Sequence, residues 1–424
     1  MSENKKIKVL VLSDHPLSPS GVGTQTKYVI EGLLKTEKFS FLCFGGAIKH
    51  ENYQPIKVDP WGDDWVIMPT DGYGNQDLIR STIRSHRPDM IWFMTDPRFF
   101  GWLWDMEDEI RPLMPMVYYH VWDNKPYPMF NRAFYESTDY IATISKVTDS
   151  VVENVAPSVS RKYIPHAVDS EIFKKLTEEE IEGFKEDHYG DNYENMKEKF
   201  IFFWNNRNAR RKQSGSLIFW FKDFLDRVGH DKACLLMHTD VRDPHGQDLV
   251  AIINNLGLVN GEVQFSNHKV PPIVLSHMYN MADCTINVAD AEGFGLATLE
   301  SLSCETPIIV TMTGGLQEQV TNGEEYFGIG LEPASKAIIG SQEVPYIYED
   351  RLSKEQVVDA MEKIYKMTPE ERSELGRKGR EHVMKNYNFE NFSKTWEEFM
   401  LNAYKESGSW DTRKGYKSWE LIEV

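Results

Sequence analysis

Twice along this chain, short apolar runs alternate with stretches of helical period. That rhythm limits the folds open to it. In the first half the runs fall at 7–12, 39–44, 90–94, 116–119 and 140–144, with helix patterns between several of them; one places Tyr28, Val29, Leu33 and Leu34 on a common face. In the second half strands are expected at 200–204, 233–238, 263–265, 284–289 and 307–311, and helices at 215–228, 247–256, 274–281 and 296–304. Continuous apolar runs suit strands buried on both faces, and their alternation with helices implies parallel α/β sheets.

Between the halves, residues 177–199 are dense in Glu and Lys, with Gly183 and Gly190 and few apolar side chains. They read as a solvated helix and linker. The expectation is therefore two Rossmann-like, doubly wound α/β domains facing a cleft. The first spans 1–170, a linker 171–198 and the second 199–395, with closing helices at 354–366, 369–386 and 389–405. The length, 424 residues, fits two or three domains at roughly 100–200 residues each. Segment 407–424 carries Trp410, Tyr416 and Trp419 without a clear period.

Composition excludes several classes. With 47 basic and 65 acidic residues the net charge is −18, which argues against broad binding to nucleic acid or anionic membranes. No apolar run is long enough for a transmembrane helix, and the N-terminal run 7–12 reads as a buried strand, not a secretion signal. The cysteines, Cys43, Cys234, Cys284 and Cys304, are far apart and read as buried thiols of a cytoplasmic protein. Nothing specifies an oligomeric state. Aromatic residues crowd 90–140, from Trp92 to Tyr140, as either core or an apolar cleft wall. Asp59, Asp63 and Asp64 read as a surface turn with Pro60 and Gly62.

Doubly wound sheets bind ligands at the carboxyl ends of their strands, so the loops there carry the chemistry. The loop DAEGFG, 290–295, follows one strand and opens a helix at Leu296. Gly293 and Gly295 permit close backbone approach, and the free N–H groups at the helix start, Leu296 included, favour an anion such as phosphate. Glu292 and Glu300, eight apart, can address different parts of one elongated ligand, since a carboxylate accepts from paired sugar hydroxyls; a solvated pair beside a glycine turn is the plainer reading.

Upstream, residues 199–222 hold six basic residues and no acid, the clearest reversal of sign in the chain. Arg207 and Lys212, five apart, can clamp a diphosphate and stabilise its departure. A third loop, 311–318, carries Gly314 and Gly315. In the first half Gly21 and Gly23 lie in the loop after the first strand, and His120 ends another strand, where it faces the cleft to stabilise charge or exchange a proton, or serves the fold alone. His238, Asp240, Asp243 and His245 lie close in sequence without a recognised metal-ligand spacing, so no metal is expected.

With these motifs the chain resembles the family 4 retaining glycosyltransferases of GT-B fold. Glu292–Glu300 is similar to the family's Glu-x7-Glu signature, in the form EGFGLATLE. Arg207 and Lys212 match its Arg-x4-Lys pair, Gly21-Val-Gly23 its N-terminal glycine loop, and Ile164-Pro-His-Ala-Val-Asp169 its crossover segment. The chain departs from the pattern at Ala167, at Ser266-Asn267-His268 and at Glu305-Thr306, which leaves UDP and GDP both open.

The resemblance implies transfer of a sugar from a nucleotide-diphosphate donor, with retention of configuration, no cofactor and no metal. Glu300 would hold the ribose, and Glu292 with the amides of Gly293, Phe294 and Gly295 the sugar and phosphates. Arg207 and Lys212 would neutralise the leaving diphosphate, His120 would sit near the anomeric carbon, and Gly21 and Gly23 would let the N-terminal loop close on the phosphates. The first domain would take the acceptor, a glycan, lipid, protein or small molecule, and the tail from 396 would pack on it. A sugar phosphorylase, a nucleotide-sugar epimerase or a non-catalytic nucleotide-sugar or glycan binder are the alternatives.

Overall fold

The computed structural model describes residues 5–416; Trp419 and the rest of the segment beyond 416 lie outside the described residues. The chain forms two compact units. The first comprises Met1–Ala167, Gly340–Pro345 and Phe389–Val424, the second Val168–Ile339 and Tyr346–Asn388.

The first unit is built on β1 (Ile7–Asp14), β2 (Phe39–Gly46), β3 (Ile56–Val58), β4 (Gly62–Pro69), β5 (Met90–Met94), β6 (Met116–His120), β7 (Tyr140–Thr143) and β8 (Ser160–Tyr163). Their order is β3-β4-β2-β1-β5-β6-β7-β8. All neighbours are parallel except β3 and β4, an antiparallel edge pair. Strand order reverses at β1 and β5, which places the ligand-binding position of such a sheet at their carboxyl ends. The expected surface turn at 59–64 is a turn only over 59–61; from Gly62 the chain enters β4, whose Trp65 and Ile67 are buried.

The helix Phe389–Ser407 belongs to this unit. Trp396 is fully buried, edge-on to Trp92 at 5.8 Å and to Tyr119 at 4.8 Å. Its approach to the helix Gly21–Leu34 requires Gly32, where a Cβ would lie 2.5 Å from Ser393 Oγ. Most of the aromatic excess at 90–140 is this core: Trp92, Phe93, Phe100, Trp104, Tyr118, Tyr119 and Tyr135 are all buried, whereas Phe99 and Tyr127 are exposed. The residues after the helix continue on the same unit, with Trp410 Nε1 donating to Pro88 O at 2.9 Å and Arg413 paired with Asp139 at 2.9 Å.

The second unit carries β9 (Phe200–Asn205), β10 (Ala233–His238), β11 (Val263–Ser266), β12 (Cys284–Asn287), β13 (Ile308–Thr311) and β14 (Gly328–Leu331) in the order β11-β10-β9-β12-β13-β14, all parallel. Its reversal point lies between β9 and β12. Phe202, Trp204, Leu235, Met237 and Ile286 meet the buried face of the helix Ser214–Val228 in one apolar core. An antiparallel hairpin, β15 (Ser335–Ile339) and β16 (Ile347–Arg351), follows. The segment expected as a linker, 171–198, is built into this unit. Its helix Glu178–Tyr189 is capped by Thr177 and Glu180, and Asn280 accepts from Leu176 N at 2.9 Å. The four cysteines are buried and free. No described helix is long and apolar enough to cross a membrane.

Candidate active site

The reversal point of the second sheet brings two loops together, one after β9 and one after β12. The β9 loop holds four cations in a tight turn, ended by Gln213 with φ +57°. Each is already engaged. Lys212 Nζ pairs with the Glu292 carboxylate, both side chains about one-tenth exposed (9% and 11%). Arg211 donates to Ala291 O. Arg210 forks onto Glu349 at 2.6 and 2.8 Å. Arg207, 61% exposed, forks onto Asp243 at 2.6 and 3.1 Å. The two cations read as one clamp are thus held by different carboxylates, and Lys212 is itself buried whereas Arg207 is exposed.

Burial works against the ionised form of Glu292, but the adjacent Lys212 and Arg211 charges outweigh it and hold the carboxyl below its usual range. Asp290, two residues earlier, is pushed up to about 6 by burial, although it accepts from Gln213 Nε2 at 2.6 Å and pairs with Arg351 at 2.7 Å. Arg351 also reaches Glu349, at 3.1 Å. Asp290, Glu349 and Arg351 tie the hairpin to both loops; Asp290 lay in the singled-out loop without an assigned role, and Glu349 and Arg351 carried no signal in the sequence.

The glycines of the β12 loop meet specific needs. Gly295 has φ +93° and stands as N-cap of the helix Leu296–Ser303, with no side chain capping its first N–H groups. Gly315 of the next loop lies against it: a Cβ there would fall 2.6 Å from Phe294 Cα and 2.9 Å from Gly293 O. Gln319 completes the frame, donating to Phe294 O at 2.7 Å and accepting from Thr298 at 2.7 Å. Glu300 accepts from Tyr279 Oη at 2.8 Å, and Tyr279 accepts from Asn205 at the end of β9 at 2.8 Å. Burial, partly offset by the tyrosine, pushes the Glu300 carboxyl up to about 7.

In the first unit Gly21 and Gly23 are not loop residues. They form the first turn of the helix Gly21–Leu34, because Ser20 caps it: Ser20 Oγ accepts from Gly23 N at 2.9 Å and donates to Asp14 Oδ2 at 2.6 Å. Gly23 is required there, since a Cβ would lie 2.7 Å from His15 O. His120, expected to face the cleft, is fully buried. Burial lowers its pKa to about 3, so the imidazole is neutral. Of the four residues weighed as metal ligands, Asp243 serves Arg207 and His238 Nδ1 meets Ser266 Oγ at 2.8 Å. No three such side chains converge among the described residues.

Comparison with known proteins bears on this geometry. Residues 185–382, which include all of the loops just described in the second unit, match the family model of glycosyl transferases group 1. A D-inositol 3-phosphate glycosyltransferase of Acidothermus cellulolyticus is 39% identical over 97 residues, 23% of this chain and 21% of that protein, so the match spans about a fifth of the relative. The chain shares the GT-B fold of solved glycosyltransferase structures. Sucrose-phosphate synthase from Thermosynechococcus elongatus superposes with TM-score 0.74 at 16% identity, over 95% of this chain and 100% of that one. Anabaena HepE in complex with UDP and glucose superposes with TM-score 0.68 at 12% identity, over 93% and 100%.

Proposed function

We propose that this protein is a retaining glycosyltransferase that moves a sugar from a nucleotide-diphosphate donor to an acceptor hydroxyl, in the cytoplasm. The observation that carries the reading is the buried Lys212–Glu292 pair. It joins the basic loop after β9 to the acidic loop after β12, at the reversal point where a doubly wound sheet takes its ligand. The relatives' names agree with it: one is an inositol phosphate glycosyltransferase, and HepE was solved with UDP and glucose.

In this reading Lys212 and Arg207 meet the diphosphate. As the bond from the anomeric carbon to the diphosphate oxygen breaks, its electron pair leaves with the diphosphate. Cations already fixed in place stabilise that charge without reorganisation. Lys212 is fixed by Glu292, whereas Arg207 must exchange Asp243 for the donor. The uncapped N–H groups after Gly295 supply further donors to the phosphates. Glu300, ionised, accepts from the two ribose hydroxyls. Glu292 orients Lys212 and takes a hydroxyl of the transferred sugar. The acceptor oxygen then bonds to the anomeric carbon on the face the diphosphate left, and its hydroxyl proton passes to the departing diphosphate oxygen.

The test is calorimetric titration of UDP- and GDP-sugars into the wild type and Lys212→Met. Binding to the wild type, weakened at least tenfold in the variant, supports the reading. Failure of every nucleotide sugar to bind refutes it.

A further inference from the structure

His120 lies at the end of β6 with no surface exposure. Its ring leans on Tyr118 at 4.9 Å, and the Tyr118 hydroxyl is committed to Thr95 O at 2.6 Å. His120 Nε2 meets the Tyr135 hydroxyl at 2.6 Å, a short contact, while Nδ1 is buried and has no partner among the described residues. Tyr135 is also fully buried, and its oxygen receives Asn131 Nδ2 at 3.4 Å.

These contacts leave one place for the Tyr135 proton. The Nε2–H tautomer would leave two buried groups without a partner, the Tyr135 proton and the Nδ1 lone pair, whereas the Nδ1–H tautomer leaves one, and each such group is costly. The nearest Asn131 atom is itself a donor, so the acceptor left for Tyr135 is His120 Nε2. A nitrogen that accepts carries no hydrogen, and a neutral imidazole has one to place. We propose that Tyr135 is a positioning residue that holds His120 as the neutral Nδ1–H tautomer, so that His120 offers a bound sugar a hydrogen-bond donor and neither a positive charge nor a proton-accepting nitrogen.

The proposal rests on the glycosyl-transfer reading for its use, but not for its chemistry. Burial alone keeps the ring uncharged. Nδ1–H is the minor tautomer of free histidine, so the Tyr135 bond selects it. The single buried, unpaired donor then suits a hydroxyl oxygen of a neutral sugar.

The test is a nitrogen-15 spectrum of the histidine side chains of the full chain, recorded without substrate from pH 5 to 8. The His120 signals are assigned by through-bond correlation to the backbone, and checked by their loss in His120→Gln. The expected result is a protonated Nδ1, a bare Nε2 and no titration. An Nε2–H tautomer or a titrating ring in the wild type overturns the proposal. In Tyr135→Phe the ring should revert toward Nε2–H and kcat should fall roughly 3- to 10-fold. An unchanged Nδ1–H tautomer there shows that Tyr135 does not set it and also overturns the proposal. The spectrum needs no substrate, so the outcomes separate. An Nδ1–H tautomer in a protein that turns over no donor removes the function and keeps the tautomer, whereas the reverse tautomer in an active enzyme removes only this proposal.

Discussion

Lys212 is paired with Glu292, eighty residues further along the chain, and each side chain is about nine-tenths buried. Breaking such a pair from one side strands a buried charge, which costs about 3–5 kcal/mol, whereas replacing both partners by neutral groups of similar volume is far milder. Denaturant unfolding of Lys212→Met, Glu292→Gln and the double variant should show two destabilised single variants and a double variant more stable than their sum implies. Turnover should fall about 100-fold or more in Lys212→Met and stay low in the double variant, because the restored stability does not restore the cation.

Arg207 sits in the opposite regime. Its side chain is 61% exposed, and Asp243, whose own side chain is 10% exposed, holds it through two bonds. A surface pair adds at most about 1 kcal/mol, so Asp243→Asn should leave the melting temperature almost unchanged. It should release Arg207 for the diphosphate, lowering the donor KM severalfold at low salt and less at high salt. Steady-state kinetics at two ionic strengths check this.

Glu300 and His120 give pH dependences of opposite sign. Glu300 ionises near 7 in the folded protein against an ordinary value of 4.5, because it is buried. Across that window the folded state keeps a proton that the unfolded state has released, so this group's contribution to stability falls as pH rises from 4.5 to 7. Glu300→Gln should remove that slope. Donor binding needs the ionised form, so the donor KM should fall as pH rises through 7 in the wild type, and not in the variant. His120 titrates near 3 when folded and near 6.5 when unfolded. Its contribution is complete above 6.5 and is lost as pH falls toward 3, a loss that His120→Gln should remove. Urea unfolding across pH 4–8 measures both.

Gly315→Ala introduces a methyl 2.6 Å from Phe294 Cα and 2.8 Å from Phe294 O, both backbone atoms. The 292–295 loop must move, at a cost of about 1–3 kcal/mol. Far-ultraviolet circular dichroism should stay native, while calorimetric donor affinity falls at least tenfold.

The sequence exposed what depends on local spacing. The strand at 233–238 and the helix at 354–366 lie where the apolar pattern puts them, because burial on a sheet or against a helix imposes a short period. Arg207, Lys212, Glu292 and Glu300 were readable because each lies in a loop, or the helix that follows it, formed by one continuous piece of chain. The contacts that hold these loops in place were not. Asp243 meets Arg207, Glu349 meets Arg210 and Arg351 meets Asp290 across tens to more than a hundred residues, through pairings that only the sheet order creates. Ser20 turned an expected glycine loop into a capped helix start, a one-residue effect inside a segment rich in serine. His120 was located but not its state, which depends on Tyr118 and Tyr135 closing over it.

The central claim is transfer from a nucleotide-diphosphate donor by the Lys212 loop. Mass spectrometry of nucleotide released from a panel of UDP- and GDP-sugars, with wild type and Lys212→Met side by side, tests it most directly. The expected result is release of UDP or GDP from at least one donor by the wild type, by acceptor transfer or slow hydrolysis, and a loss of about 100-fold or more in the variant. Equal release by both proteins, or none from any donor with a broad acceptor panel present, would contradict it.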